Sequence, residues 1–207
     1  MRSLVTTAAL AAAALFAAAP AQAQTTPDFT HQGLYLRVEG GLGYLHSEAD
    51  FASTSATAYG GAGYLGFALG GAIAPDVVLY GEIWGMGAVN PTYQFAGATG
   101  TLDNQTLNYS GLGLGIGFFT AGNVFVGISL DATRLGITDN DNGDQSRSDV
   151  GGAVTLTIGK QWWISPHWGL GFSVKGIGGG NHQDNDNNDS ATYKTFTGLG
   201  TITLTYG

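Results

Sequence analysis

Residues 111–118 read Gly-Leu-Gly-Leu-Gly-Ile-Gly-Phe, with a bulky apolar side chain at every even number and glycine at every odd one. A period of two belongs to a β-strand with two unlike faces. In this strand one face is continuously apolar and the other is nearly empty. A half-buried strand of a soluble sheet usually puts polar or charged residues on its second face. A strand of a small membrane barrel can put glycine there instead, because that face looks into a narrow interior.

Seven further segments repeat the alternation. They lie near 33–45, 59–73, 77–89, 124–137, 149–164, 168–177 and 191–206, with 106–119 holding the glycine run. In the first, Leu34, Leu36, Val38, Leu42 and Tyr44 share a face, opposite Tyr35, Arg37, Glu39, Gly41 and Gly43. In the seventh, Trp168, Leu170, Phe172 and Val174 oppose Gly169, Gly171, Ser173 and Lys175. The connections alternate strictly. Three are short, at 74–76, 120–123 and 165–167. Four are long and polar, at 46–58, 90–105, 138–148 and 178–190. Short turns at one end and long loops at the other are the pattern of an outer-membrane barrel. A strand of about 11 residues, rising ~3.3 Å each and tilted ~40°, spans roughly 28 Å, enough for the apolar band of such a barrel. The predicted fold is therefore all-β, an eight-stranded antiparallel up-and-down transmembrane β-barrel over residues 33–207. Periodicity alone does not say which face is inside, so a soluble lipocalin-like barrel is the rival reading.

The N-terminus supports export. Arg2 is followed by a run from Leu4 to Ala19 that is apolar apart from Thr6 and Thr7, then Pro20 and the small-residue site Ala21-Gln22-Ala23. This reads as a signal peptide over 1–23, cut after Ala23, leaving a short periplasmic segment over 24–32. No later stretch reaches the ~18 consecutive apolar residues of a membrane helix. Glycine accounts for 35 residues and charged residues for only 11%, with a net charge of −8. Seven scattered Lys and Arg do not make a nucleic-acid surface. The absence of cysteine excludes disulfides, a thiolate nucleophile and Cys metal sites.

Aromatic residues gather where an interface girdle belongs: Phe118 and Phe119 at the second turn, Trp162, Trp163 and Trp168 at the third, and Tyr206 at the C-terminus. With these features the chain resembles the small outer-membrane β-barrel proteins of Gram-negative bacteria. It is similar to the barrel domain of outer-membrane protein A and to the related eight-stranded porin-family proteins. Two local features carry the likeness: the Trp-Trp-Ile-Ser-Pro-His-Trp-Gly-Leu-Gly turn over 162–171, and the C-terminal strand 196–206, which resembles the sorting strand read by the barrel-assembly machinery. The family ends in an aromatic residue, whereas this chain ends Tyr206-Gly207. Thr201 stands where the family's glycine is expected, with Gly200 beside it. The resemblance implies an outer-membrane location, contact with membrane lipids and lipopolysaccharide, and a monomer.

Arg37, Glu39, Glu82, Asp131 and Lys175 fall on the face opposite the apolar one, so they form an interior polar network. The alternative is a porin-like pore lining, although an eight-stranded barrel is just filled by its side chains. Arg134 and Lys194 fall on the outward parity near the long-loop rim, as candidate contacts for lipopolysaccharide phosphates. The run 139–144 lacks the oxygen and glycine offsets of a calcium loop, and no metal site or cofactor is predicted. The Asn/Asp-rich run 181–189 reads as a solvated loop. His46-Ser47-Glu48 has the residue types of a lipid-A acylhydrolase, with no second element to orient His46. The glycine repeats over 111–117 and 61–66 lack the spacing and helix of a dinucleotide site. The function expected is structural and surface-directed, without catalysis.

Overall fold

The alternation becomes eleven strands: β1 (Leu34–Asp50), β2 (Ser55–Ala74), β3 (Val77–Val89), β4 (Thr92–Phe95), β5 (Ala98–Thr101), β6 (Gln105–Phe119), β7 (Val124–Asp139), β8 (Gln145–Arg147), β9 (Gly151–Trp163), β10 (Trp168–Asp184) and β11 (Ser190–Tyr206). The computed structural model describes residues 31, 33–50, 54–184 and 190–207. The predicted signal peptide, and all of the 24–32 segment except His31, lie outside the described residues.

Eight long strands make the wall. They pair antiparallel in the order β1-β11-β10-β9-β7-β6-β3-β2, and β2 pairs back onto β1, so the sheet closes on itself. Closure leaves the eight wall strands without an edge where they pair around the barrel, which is what lets strands cross a lipid bilayer without orphaned backbone groups. Among the described residues no helix is long and apolar enough to cross a membrane.

The faces resolve the rival reading. Leu42, Leu65, Leu114 and Ile202 stand outside, 76, 68, 72 and 68% exposed, whereas Arg37 and Lys175 inside are each 1% exposed. A soluble barrel would bury the leucines. An apolar exterior around a polar core is the arrangement that lipid demands.

The glycines now have a physical reason. A Cβ at Gly111 would lie 2.5 Å from the Trp84 indole, and one at Gly115 would lie 2.5 Å from the Tyr80 ring. One at Gly117 would press on Phe125, and one at Gly113 on the Asp131 carboxylate. Inward glycines on β6 thus make room for large side chains reaching over from β3 and β7.

Two of the three tight turns use Asp76 and Asn123 at φ 58° and 55°, residue types that tolerate the left-handed region. The opposite end departs from expectation. Segments predicted as long loops are largely strand: β1, β2 and β10 run on beyond the predicted ends, and the hairpin β4–β5 occupies most of 90–105. β4 pairs with β2, and β8 pairs with β7, extending the wall outward. Asn181, predicted to lie in a solvated loop, is an inward residue of β10, 3% exposed. Its amide donates to the Thr133 and Asp149 carbonyls.

Candidate functional site

The barrel interior is layered, and pleat parity decides which residue enters which layer. At the short-turn end, Tyr35, Val78, Tyr80, Phe119 and Phe125 pack together. His31 closes this end, stacked on Phe119 with ring centroids 3.6 Å apart and tilted against Trp163 at 4.8 Å. Its backbone N–H donates to Asp76 at 3.4 Å. Burial against these rings pushes the His31 imidazole down to about 4, against a smaller upward pull from Asp76.

Phe119 and Trp163 therefore leave the predicted girdle. Adjacent strand residues point to opposite faces, so only one of each pair Phe118-Phe119 and Trp162-Trp163 can face outward. Phe118, Trp162 and Trp168 do, at 47, 43 and 37% exposure. Tyr206 packs edge-on against Trp168.

The next layer joins all five predicted interior residues. Arg37 reaches Glu39 at 3.6 Å and Glu82 at 3.4 Å. Lys175, from the far side on β10, bonds to Glu39 and lies 3.5 Å from Glu82. The Arg37 guanidinium also sits over the Phe125 and Tyr80 rings, 4.8 and 5.2 Å from their centroids. Asp131 is set apart from the cations and accepts from Trp84 Nε1 at 3.1 Å and Thr155 at 2.8 Å. Ser129, with a single hydroxyl proton, donates to Glu82 and stands 3.2 Å from Asp131, which links the two carboxylates into one network. Sequence reasoning did not single out Tyr64, Trp84, Ser129 and Thr155. Tyr64 donates to Glu39 at 2.9 Å and accepts from Lys175 at 2.9 Å. All four share the inward parity, which was the available signal. Buried charges of this kind persist only when paired and hydrogen-bonded.

Toward the long-loop end the interior turns apolar again. Leu45, Met86, Ala88, Leu107, Tyr109, Leu135 and Ile177 form a second packed layer.

The rim has its own polar site. Arg134 stands on the outward face of β7, opposite Ser110 of β6. Two residues on, Gly136 pairs with Arg147 of β8, and a Cβ there would lie 3.3 Å from the Arg147 stem. The two arginines line one depression of about 310 Å³ with Asn108, Ser110, Thr138 and Gln145. Arg147 lay in a predicted loop, so its place beside Arg134 was invisible in the sequence. Lys194 lies on the other side of the barrel, ion-paired to Asp50 at 2.7 Å. That pairing holds its ammonium above the usual lysine range.

Pleat parity also separates His46-Ser47-Glu48. Ser47 is buried inside and shares a 3.2 Å hydrogen bond with Thr195, whereas His46 stacks with Tyr59. The three side chains do not converge. No group of three or more His, Asp or Glu among the described residues is placed to hold a metal ion.

A closed eight-stranded antiparallel barrel with an apolar exterior and a charged, filled core has the fold of the outer-membrane β-barrel proteins. Solved structures with this fold include the outer-membrane protein AlkL in lipid bilayers, with 13% identity over 91% of this chain and 95% of that one, at a TM-score of 0.50. OprG from Pseudomonas aeruginosa matches with 11% identity over 86% and 98%, at 0.49. Neisserial surface protein A matches with 15% identity over 84% and 96%, at 0.48. At these identities the likeness is one of fold. No protein-family model matches the chain, and no curated protein matches it.

Proposed function

We propose that this chain is an integral protein of the bacterial outer membrane with a closed lumen. It acts at its outer rim, through lipopolysaccharide and surface partners, and neither conducts nor catalyses. The short-turn end then faces the periplasm, and β11 is the strand handed to the barrel-assembly machinery during insertion. The observation that carries the reading is the state of the charged layer. A water-filled pore leaves its lining accessible, yet Arg37, Glu39, Glu82 and Lys175 are 1 to 3% exposed.

The rim arginines supply the contact. Guanidinium forks suit phosphate oxygens, and Arg134 and Arg147 flank a depression whose other walls offer amide and hydroxyl groups. It opens on the outward face near the long-loop end, where the headgroups of outer-leaflet lipid lie. Lys194, neutralised by Asp50, is the weaker candidate.

Two measurements test this. In planar bilayers the purified chain should give no stepwise conductance, and openings sensitive to Glu82→Gln or Lys175→Met would overturn the closed lumen. Native mass spectrometry should show lipid A retained on the barrel, with Arg134→Ala/Arg147→Ala and dephosphorylated lipid A each losing most of the bound fraction. Equal retention in all three cases would remove the phosphate contact.

A further inference from the structure

Where the wall rises past the second apolar layer, the inward residues of β1 and β2 are all small: Ser47 and Ala49 follow Leu45 on β1, and Ala56 and Ala58 stand across from them on β2. β4 lies beside β2 with Phe95 opposite Ala56 and Tyr93 opposite Ala58. The space these alanines leave is a cavity of about 370 Å³, floored by Leu107 and Leu135 and walled by Ile137 and Tyr193. That is within the range of small-molecule sites, about 300–1,000 Å³.

The polar groups at its edge are largely committed. Ser47 bonds to Thr195 at 3.2 Å, Ser148 donates to the Asp149 carbonyl at 2.9 Å, and Tyr193 donates to Gln183 at 3.0 Å. Among the described residues Arg147 is the one charged residue of the lining, and its guanidinium donates to Gln145. The rest of the wall is mostly apolar, which suits an uncharged guest. We infer that this vestibule is a binding site for a neutral, apolar small molecule of about ten heavy atoms, taking each atom at the ~30 Å³ of a water. It is open to the outside and blocked below by the apolar layer of Leu107, Tyr109 and Trp84 and then by the ion pairs. It is therefore a receptor-like pocket and not the mouth of a conduit.

Naphthalene, neutral and of this size, is the probe. It is titrated into the full mature chain in lipid nanodiscs with methyl-labelled Leu and Ile. The site predicts saturable shifts at the Leu107, Leu135 and Ile137 methyls, and only small, linear ones at lipid-facing Leu65 and Leu114. Ala58→Trp, which fills the cavity at a position only partly buried, should weaken the saturable response at least tenfold while leaving the heat-modifiable gel mobility of the barrel unchanged. Linear shifts of equal size inside and outside would mean partition into lipid and overturn the site. So would cross-peaks between nanodisc lipid chains and Leu107, which would show that a membrane lipid already fills the space. Arg147 edges both this cavity and the rim depression, but naphthalene carries no phosphate and none of these readouts involves Arg147 or conductance, so this site and the proposed function fail separately.

Discussion

Removing one cation from the interior tests both the energetics and the closure of the barrel. Lys175→Met keeps the length and volume of the side chain but deletes two ion pairs, to Glu39 and Glu82, and a donor to Tyr64. Arg37 is then left alone to balance Glu39 and Glu82. Breaking one partner of a buried pair costs about 3–5 kcal/mol, because the orphaned charge stays desolvated. Both lost partners retain Arg37, and Glu39 keeps Tyr64, which puts the expected loss near the lower bound, about 3 kcal/mol. Glu39→Gln in the same chain removes the orphan, so the double variant should lose less than the single one by about 1 kcal/mol or more. The assay is urea unfolding in liposomes, followed by tryptophan emission and by the boiled-versus-unboiled gel shift. A loss under about 1 kcal/mol for Lys175→Met, or a double variant worse than the sum of the singles, would show a hydrated interior and refute the closed ionic layer.

Three further outcomes are expected. Leu156→Arg, outward and mid-strand on β9, should destabilise the barrel by about 2–4 kcal/mol in liposomes; unchanged unfolding would mean that this face does not meet lipid. Gly115→Val should cost about 1–3 kcal/mol by overpacking against Tyr80, and Tyr80→Ala in the same chain should recover part of it, as read by unfolding midpoints. The pH dependence follows from His31. Its folded pKa of about 4 lies below the ordinary 6.5, so the unfolded or undocked state binds more protons between these values. Docking of this residue at the short-turn end is therefore complete above pH 6.5 and lost as pH falls toward 4, by about 2 kcal/mol after allowance for solvent at the mouth. Trp163 emission should report the transition, and His31→Phe should abolish it.

Much of this architecture is local information. Period-two alternation assigns each side chain to a face, and the short and long connections assign the two ends, because a strand has no choice about where successive Cβ atoms point. That is why Arg37, Glu39, Glu82, Asp131 and Lys175 were legible as interior residues before any contact was known. Parity also contained the correction to Phe119 and Trp163, since neighbours in a strand cannot share a girdle. Which face is inside was a question of environment, and glycine decided it only through what surrounds it: Gly111 and Gly115 are small because Trp84 and Tyr80 come from another strand. The rim and the vestibule were beyond reach of the sequence for the same reason. Arg147 meets Arg134 because β8 pairs with β7 after a turn. The cavity exists because alanines on β1 and β2 stand across from leucines on β6 and β7, residues far apart in the chain that only closure of the barrel brings around one space.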